Sequence, residues 1–249
     1  MSTTRYFIEL AYDGTPYHGW QVQPNAVTVQ ELLDRALSTC FRTPVATTGC
    51  GRTDTGVHAT QFYAHFDLPA ATAGAENQVH AVNALLPYQI AARRLFAVPA
   101  EAHARFDATS RTYHYLIHFN KDPFRHQRSW LLRERPDVEA MNAAAALLLQ
   151  YTDFSCFSKA NTQTFTNNCS ISQACFTAVD GGLQFTITAD RFLRNMVRAI
   201  VGTLMEVGRG RLSAEGFAAV IEQKNRSNAG QSVPACGLYL VHISYPYLT

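Results

Sequence analysis

Short segments in which apolar and polar residues alternate recur along the chain, and segments with helical periodicity lie between them. The alternating segments are residues 5–12, 58–67, 90–98 and 111–119. This pattern predicts strands, because successive side chains of a strand point to opposite faces of a sheet. Two further strand-like segments, 172–178 and 183–188, flank Asp-Gly-Gly, which is typical of a hairpin turn. Hairpins with laterally packed helices favour an α+β fold with a largely antiparallel sheet.

Capping signals and apolar stripes predict the helices. Thr28 and Glu31 have the spacing of a capping box, which predicts a helix from there to about Phe41. Its expected buried stripe consists of Leu32, Leu33, Ala36, Leu37 and Cys40. Further helices are predicted at 78–86, 137–150, 191–207 and 213–223, and a closing strand at 238–245.

The length and composition indicate one continuous folded unit. The 249 residues are 47% hydrophobic and only 16% charged, which allows a large core and argues against disorder. No linker rich in Gly, Ser or Pro separates the halves, so we expect residues 1–107 and 108–249 to form one catalytic unit. The N-terminus lacks the layout of a signal peptide, and the longest apolar run, 143–149, is too short to cross a bilayer.

The cysteine pattern indicates reduced thiols rather than a metal or disulfide framework. Six cysteines occur without a CxxC pair, and the histidines show no ligand spacing. We therefore expect a cytoplasmic protein without a bound metal or a membrane anchor. The absence of a Walker loop, and of GxGxxG after a strand, likewise predicts no nucleotide cofactor.

Positive charge is concentrated in two zones. Residues 105–135 and 191–211 each carry a net charge of +4, although the whole chain carries only +2. Basic zones on an otherwise acidic protein suggest an anionic partner, and a polyphosphate backbone is the leading candidate. The alternative is that these side chains are scattered over solvated faces.

The segment GCGRTDTGVHA at residues 49–59 places Arg52 and Asp54 among three glycines. Glycine lets another molecule approach the main chain closely. An aspartate in such a loop most often forms a turn or caps a helix, and the alternative is a nucleophile. A nucleophilic carboxylate beside nucleic-acid phosphates needs a cation to stay ionised, and the guanidinium of Arg198 or Arg52 suits that task.

The sequence Asp-Thr-Gly at 54–56 also raises the possibility of an aspartic protease. That chemistry needs two carboxylates that share a proton, from two such loops or from a symmetric dimer. The chain has one such loop, and Arg52 stands where those enzymes have an apolar strand. We therefore discount this interpretation.

Two other elements carry candidate site residues. In a helix over 191–207, Arg191, Arg194 and Arg198 would fall within a 60° arc and form a ridge, although arginines at the edge of a core helix often only reach for solvent. Tyr113 lies on a predicted strand. It is either an ordinary core tyrosine or a ring on which a base stacks.

Six segments together resemble the tRNA pseudouridine synthase A (TruA) family, in that family's order and over nearly the whole chain. GRTDTGVHA combined with FLRNMVRAIVGTL is a highly specific signature. The segments are AYDGTPYHGWQVQP (11–24), TVQ (28–30), GRTDTGVHA (51–59), ARFDATSRTYHY (104–115), FLRNMVRAIVGTLMEVGRG (192–210) and GLYL (237–240).

The resemblance implies a pseudouridine synthase fold with two similar α+β halves that share a mostly antiparallel sheet flanked by helices. It also implies an isomerase that converts uridine to pseudouridine at positions 38, 39 and 40 in the anticodon stem-loop of tRNA. The family enzyme is a homodimer that needs no cofactor or metal. The target nucleotide would be flipped out of the RNA to reach the enzyme.

The resemblance also assigns roles to individual residues. It implies that Asp54 is the nucleophile, that Arg198 pairs with it, and that Arg52 helps to extrude the target base. It further implies that Tyr113 stacks on the uracil and handles the C5 proton, and that Leu238 lines the uracil pocket. Attack at C1′ of the ribose or at C6 of the base stays open.

This sequence departs from the family pattern in two places. Thr55 stands where relatives often have Ala, and Asn168 stands where they commonly have Arg. The second change leaves one RNA contact in doubt. Two other functions stay open beside the isomerase, namely a catalytically silent RNA-binding module and a hydrolase that uses Asp54.

Overall fold

A computed structural model of the chain describes residues 2–70, 72, 74–159 and 166–248. Contacts between Cα atoms divide it into two compact units. Unit 1 consists of Met1–Thr109 and Tyr239–Thr249, and unit 2 of Ser110–Leu238.

Both units contain strands and helices. Within the described residues the strands are β1 (Thr3–Tyr12), β2 (Thr48–Gly49), β3 (His58–Pro69), β4 (Ile90–Val98), β5 (Ser110–His118), β6 (Trp130–Leu131), β7 (Ile171–Val179), β8 (Gly182–Ala189) and β9 (Leu238–Ser244). The α-helices are α1 (Val29–Phe41), α2 (Val79–Leu85), α3 (Val138–Leu147), α4 (Met196–Gly208) and α5 (Ala214–Glu222). Short 3₁₀ turns occupy Ala75–Gln78, Leu148–Gln150, Ser155–Phe157, Arg226–Asn228 and Ala235–Gly237.

The sheet of unit 1 has the strand order β4-β1-β3-β9, and β2 pairs with β3. β1 runs antiparallel to β3 and β4, whereas β9 joins β3 in parallel through the pair His58 and Tyr239. Strand β1 is buried on both faces of the sheet, since its neighbouring residues Phe7 and Ile8 have no exposed surface. The side chain of Phe41 at the end of α1 packs against Phe66 of β3. The buried sheet thus supports the loops that leave its strands.

The sheet of unit 2 consists of β5, β8 and β7 in antiparallel order, with the short β6 alongside β5. The hairpin between β7 and β8 turns at Asp180 and Gly181, where the glycine has a φ of +61°. Asn142 of α3 fastens the helical layer to this sheet, because its side chain donates to Phe176 O and accepts from Phe176 N.

The predicted fold class is confirmed, since α-helices flank mostly antiparallel sheets. Caps form at the start of three helices, one of them at Thr28 as predicted. The side chains of Thr28, Asp137 and Ser213 each accept a hydrogen bond from a backbone N–H three residues later. The division into functional halves at 1–107 and 108–249 stays a prediction. In the structure, residues 239–249 belong to the same compact unit as the N-terminal segment.

The helix predicted over 191–207 begins only at Met196, so its first five residues were assigned wrongly. Asn195 precedes it with a φ of +65°, which is outside the helical region. The backbone N–H of Arg191 is bonded to the carboxylate of Asp190 rather than lying in a helix. Arg191 and Arg194 therefore do not share a helical face with Arg198, and the predicted ridge does not form.

Candidate active site

The loop that carries Asp54 connects β2 to β3 and is held through its backbone. Trp20 N donates to Thr53 O at 3.2 Å, and Gly56 N donates to Tyr17 O at 3.4 Å. A turn closes where Val57 N donates to Asp54 O at 3.1 Å. Two of these bonds come from the segment 12–20, which we call the brace.

Two glycines let the brace lie directly against the Asp54 loop. A Cβ atom on Gly14 would stand 2.0 Å from Val57 O, and one on Gly19 would stand 2.4 Å from Thr53 O. Gly19 also has a φ of +86°, which disfavours any other residue. The main chain of the brace thus fixes both ends of the segment 53–57.

Side chains at the base of the loop complete this connection. The hydroxyls of Tyr12 and Thr53 are hydrogen-bonded at 2.9 Å, and both residues are buried. Gly14 N donates to Nδ1 of the buried His58 at 3.1 Å, which ties the brace to the first residue of β3. The ring of His58 stacks on Tyr239 of β9 with centroids 4.5 Å apart.

The loop presents its charged side chains on either side of a buried residue. Arg52 is exposed, Thr53 is buried and Asp54 is half-buried. Asp54 lies outside any helix or strand. The brace nevertheless fixes the main chain from which its carboxylate extends. Such preorganisation is what a nucleophile requires.

The glycines of the loop differ from one another in their surroundings. A Cβ on Gly49 would collide with the Trp20 ring at 2.6 Å, so this glycine makes room for the core. A Cβ on Gly51 would meet no atom within 4 Å. Gly56 adopts a φ of +75° in the turn after Asp54.

Arg198 lies in the first turn of α4 and is clamped by the segment 230–237, which we call the strap. Its Nε donates to Val233 O at 2.8 Å, and Val233 N donates to Arg198 O at 3.2 Å. One turn further on, a Cβ at Gly202 would stand 1.9 Å from Gln231 O. This close approach of strap and helix orients the half-buried guanidinium.

Tyr113 and Tyr115 lie on the same face of β5, with different surroundings. The half-buried ring of Tyr113 packs edge-on against Phe192, with centroids 5.1 Å apart. Tyr115 is fully buried and donates its hydroxyl to Pro234 O of the strap at 2.8 Å. Burial raises the pKa of Tyr115, the neighbouring Cys236 raises it further, and Arg198 opposes the shift. Tyr115 is therefore a neutral structural support for the strap.

Leu238 is buried at the end of the strap, where β9 begins. The preceding Gly237 admits the Tyr115 ring, which a Cβ there would approach to 2.7 Å. Leu238 is therefore held by the same packing as the strap.

Several basic residues of the two positive zones are engaged in ion pairs. Arg209 pairs with Glu134 and Glu206, and Arg125 pairs with Asp122 and Asp180. These arginines stabilise the fold of unit 2. The exposed cations of the zones are Arg105, Lys121, Arg128, Arg133, Arg135, Arg194 and Arg211.

The structure thus brings Arg52 and Asp54 together on one loop of unit 1. In unit 2, Arg198 is bonded to Val233 within the strap, and Leu238 directly follows the strap. The pairing of Asp54 with Arg198 stays a prediction. Sequence reasoning did not assign a role to Tyr12, Gly14, Gly19 or His58, although two glycines within an aromatic segment are a recognisable sign of close backbone approach.

The described residues show neither a membrane-spanning helix nor a metal-binding cluster. No helix among them is long and apolar enough to cross a bilayer. In the same part of the chain, no three His, Cys, Asp or Glu side chains are arranged to hold a metal ion.

Comparison with known proteins gives concordant matches. A family model described as tRNA pseudouridine synthase matches residues 144–246. The chain is similar to a protein named tRNA pseudouridine synthase A from Parabacteroides distasonis, with 52% identity over 242 residues that cover 97% of this chain and 96% of the relative. Relatives of the same name from Bacteroides fragilis (50% identity, 99% and 98% covered) and Neisseria meningitidis serogroup C (42% identity, 97% and 92% covered) are also similar over nearly their whole length.

Proposed function

The chain belongs to the tRNA pseudouridine synthase A family, and we propose that Asp54 is the nucleophile with which it isomerises uridine. The protein is an isomerase that acts on tRNA and converts uridine to pseudouridine. The observation that supports Asp54 most strongly is the brace, which fixes the backbone on both sides of this half-buried carboxylate.

The chemistry conserves all atoms of the nucleotide except one exchanged proton. The bond between N1 of uracil and C1′ of ribose breaks, and a bond between C5 and C1′ forms. The proton on C5 leaves and N1 gains one, so no redox carrier or group donor is consumed. The ionised Asp54 carboxylate attacks C1′ or C6, and its ester or adduct is resolved when the base has turned over.

We assign the remaining roles as the resemblance implies. Arg198 supplies the positive charge that keeps Asp54 ionised, and its Nε bond to Val233 O fixes the orientation that such a partner needs. Tyr113 stacks on the uracil and handles the C5 proton. Its half-buried ring leaves surface for such a contact.

Arg52 and Leu238 act on the position of the target base. Uracil stacked in RNA cannot reach a carboxylate, so the nucleotide is flipped out at a cost of about a few kcal/mol. The exposed Arg52 fills the place that the base leaves, and the buried Leu238 lines its pocket. The binding energy of these contacts offsets the cost of flipping the nucleotide before the chemical step.

We further propose that the substrate site is the anticodon stem-loop at positions 38, 39 and 40, and that the enzyme works as a cytoplasmic homodimer. These assignments come from the family resemblance. Transcripts with a single uridine at 38, 39 or 40 give a direct test, since each should support product formation. A transcript whose only uridines lie outside the anticodon arm should give none.

The decisive experiment for Asp54 uses tRNA tritiated at C5 of uracil. Wild-type protein should release tritium, whereas Asp54→Asn should lose release by at least about 10⁴-fold while binding tRNA with nearly unchanged affinity. Thr55→Ala is the matched control, because this exposed neighbour lies on the same loop and should keep full activity. Full release by Asp54→Asn would refute the nucleophile assignment.

The tritium assay, together with a hydrolysis assay without RNA, separates the other functions. A catalytically silent RNA-binding module would bind tRNA without releasing tritium in any variant. A hydrolase that uses Asp54 would cleave peptide or ester substrates in the absence of RNA.

A further inference from the structure

The loop between β5 and β6, residues 119–129, holds an exposed phenylalanine among cations. Phe124 is 84% exposed. Lys121 and Arg128 are exposed on either side of it, and the sequence of residues 120–128 is NKDPFRHQR. A single exposed apolar residue is unremarkable, so the geometry of this loop decides whether Phe124 has a role.

Side-chain bonds hold this loop in one conformation. Arg125 donates from Nη1 to Asp180 O at 2.8 Å and pairs through Nε with Asp122 at 3.2 Å. The carboxylate of Asp122 accepts from Phe124 N at 2.8 Å. Arg125 thus links the loop to the hairpin between β7 and β8, and through Asp122 it fixes the backbone at the exposed Phe124.

Backbone bonds close the loop at its two ends. Phe119 N donates to Gly181 O at 3.2 Å, and Leu132 N donates to His118 O at 2.9 Å. Within the loop, Arg128 N donates to Arg125 O at 3.0 Å. A loop anchored in this way presents Phe124 to solvent with little conformational entropy left to lose on binding.

An exposed aromatic ring between cations matches the chemistry of single-stranded RNA. A base stacks on the ring, and the phosphates on either side of it interact with the lysine and the arginine. The loop contains one acidic side chain, Asp122, which pairs with Arg125, and Asp180 of the neighbouring hairpin pairs with the same guanidinium. Lys121 and Arg128 are thus the cations that the proposal assigns to phosphates. An apolar protein partner would not need the flanking cations.

The strand geometry separates this contact from the chemical step. Tyr113 and His118 are five residues apart on β5, and a strand rises about 3.3 Å per residue, so the loop begins roughly 17 Å from Tyr113. A base stacked on Phe124 is therefore not the uracil that reacts near Tyr113.

We propose that the loop 119–129 is a second RNA-binding site, at which Phe124 stacks on an unpaired base of tRNA and Lys121 and Arg128 contact the adjoining phosphates. This inference rests on tRNA as the substrate, but not on the assignment of Asp54. Its contribution is to affinity and placement of the tRNA, not to bond breaking.

The test measures equilibrium binding of unmodified tRNA to the full-length protein, together with tritium release at saturating tRNA. Phe124→Ala should weaken binding by about 5- to 100-fold, with kcat unchanged, and Phe124→Trp should bind like the wild type. The matched control is Tyr88→Ala. Tyr88 is a fully exposed aromatic residue without a cation within four positions in the sequence, and its removal should leave binding unchanged.

The phosphate contacts have their own readout. The double variant Lys121→Ala with Arg128→Ala should reduce the slope of log K against log salt by about 1 to 2. An unchanged slope would refute the phosphate contacts.

Two results would overturn the stacking contact, namely wild-type affinity in Phe124→Ala and an equal loss in Tyr88→Ala. A change of molar mass that accompanies wild-type affinity in Phe124→Ala would identify the loop as a protein interface instead. An error in the nucleophile assignment gives a different result, since Asp54→Asn would then stay active while the Phe124 variants still bind weakly.

Discussion

The Asp54 loop of unit 1 and the helix α4 of unit 2 both carry proposed site residues, but they are held by different interactions. The loop has no regular secondary structure, and its backbone is bonded to the brace at Trp20 and Tyr17. The helix forms its own backbone bonds and is buried along most of its length. The position of Asp54 therefore depends on a distant segment, whereas α4 is largely specified by its own sequence.

The two regions share one device, the contact of a glycine with a carbonyl oxygen. Gly14 admits Val57 O and Gly202 admits Gln231 O, each at a distance that no side chain would allow. In unit 2 the glycine serves the strap, while Arg198 adds a bond from its own side chain. In unit 1 the fixed part is the main chain. The difference predicts that the Asp54 loop is more sensitive to its glycine contacts than to side-chain changes nearby.

The largest effect is expected from Gly14→Ala. The new methyl group would stand 2.0 Å from Val57 O, so the brace and the Asp54 loop must separate. We expect a loss of at least about 3 kcal/mol in the free energy of unfolding and a severe loss of tritium release. Urea unfolding and the release assay measure the two effects.

Gly51→Ala is the control for this substitution, because its methyl group would meet no atom within 4 Å. Its free energy of unfolding should stay within about 0.5 kcal/mol of the wild type. Wild-type stability and activity in Gly14→Ala would show that the brace does not fix the loop.

The next effect concerns Arg198→Lys, which keeps the charge but loses the Nε bond to Val233 O. Because orientation should matter as well as charge, we expect kcat to fall by about 10²-fold, or about 2.7 kcal/mol in activation free energy. Arg194→Lys is the control, since Arg194 is exposed and precedes the helix. Wild-type turnover in Arg198→Lys would show that a point charge is sufficient.

One group in each unit is expected to lose its contribution to stability in acid, over different ranges of pH. In unit 1 the pKa of His65 is lowered from 6.5 to about 4, mainly by burial, with His103 and Arg5 adding to the effect. As the pH falls from 6.5 to 4, the unfolded chain binds a proton that the folded His65 refuses, so stability is lost over this range. We expect a loss of about 2 kcal/mol, which is below the roughly 3 kcal/mol of the full shift because solvent screens part of the effect. In unit 2, a hydrogen bond from Lys224 lowers the pKa of Asp153 from 3.8 to about 2, so that its contribution is lost only below pH 3.8.

His65→Asn tests the assignment of this loss to His65. The Asn carbonyl oxygen can accept the hydrogen bond that Nδ1 of His65 accepts from Ala104 N. The slope of the free energy of unfolding between pH 4 and 6.5 should therefore decrease in the variant. An unchanged slope would assign the acid sensitivity to other groups, of which His103 is the nearest candidate because its pKa is also lowered by burial.

The smallest effect is expected from Tyr12→Phe, which removes the hydroxyl bonded to Thr53. A hydrogen bond of this kind contributes about 1 kcal/mol, and kcat should fall only a few-fold because the backbone contacts of the brace remain. A double-mutant cycle with Thr53→Val should give a coupling energy of about 1 kcal/mol. A coupling energy near zero would show that this hydrogen bond does not stabilise the loop.

The sequence predicted most elements because their signals are local. Alternation predicted the strand 90–98 at its observed bounds, and Thr28 was recognisable as a cap. The failure at 191–195 has a physical cause. Helical periodicity continued through these residues, but Asp190 binds the backbone of Arg191 and Asn195 takes a left-handed conformation. Periodicity alone does not detect a side chain that competes for backbone hydrogen bonds.

The sequence by itself determined the fold class, the resemblance to one family and the candidate residues Asp54, Arg198, Tyr113, Arg52 and Leu238. Only the tertiary structure showed that Gly14, Gly19 and Gly49 have no room for a side chain, and which arginines form ion pairs. The reason is the range of the interactions. Capping and periodicity act within about four residues, whereas the contact of Gly14 with Val57 depends on chain segments that meet only in the folded protein.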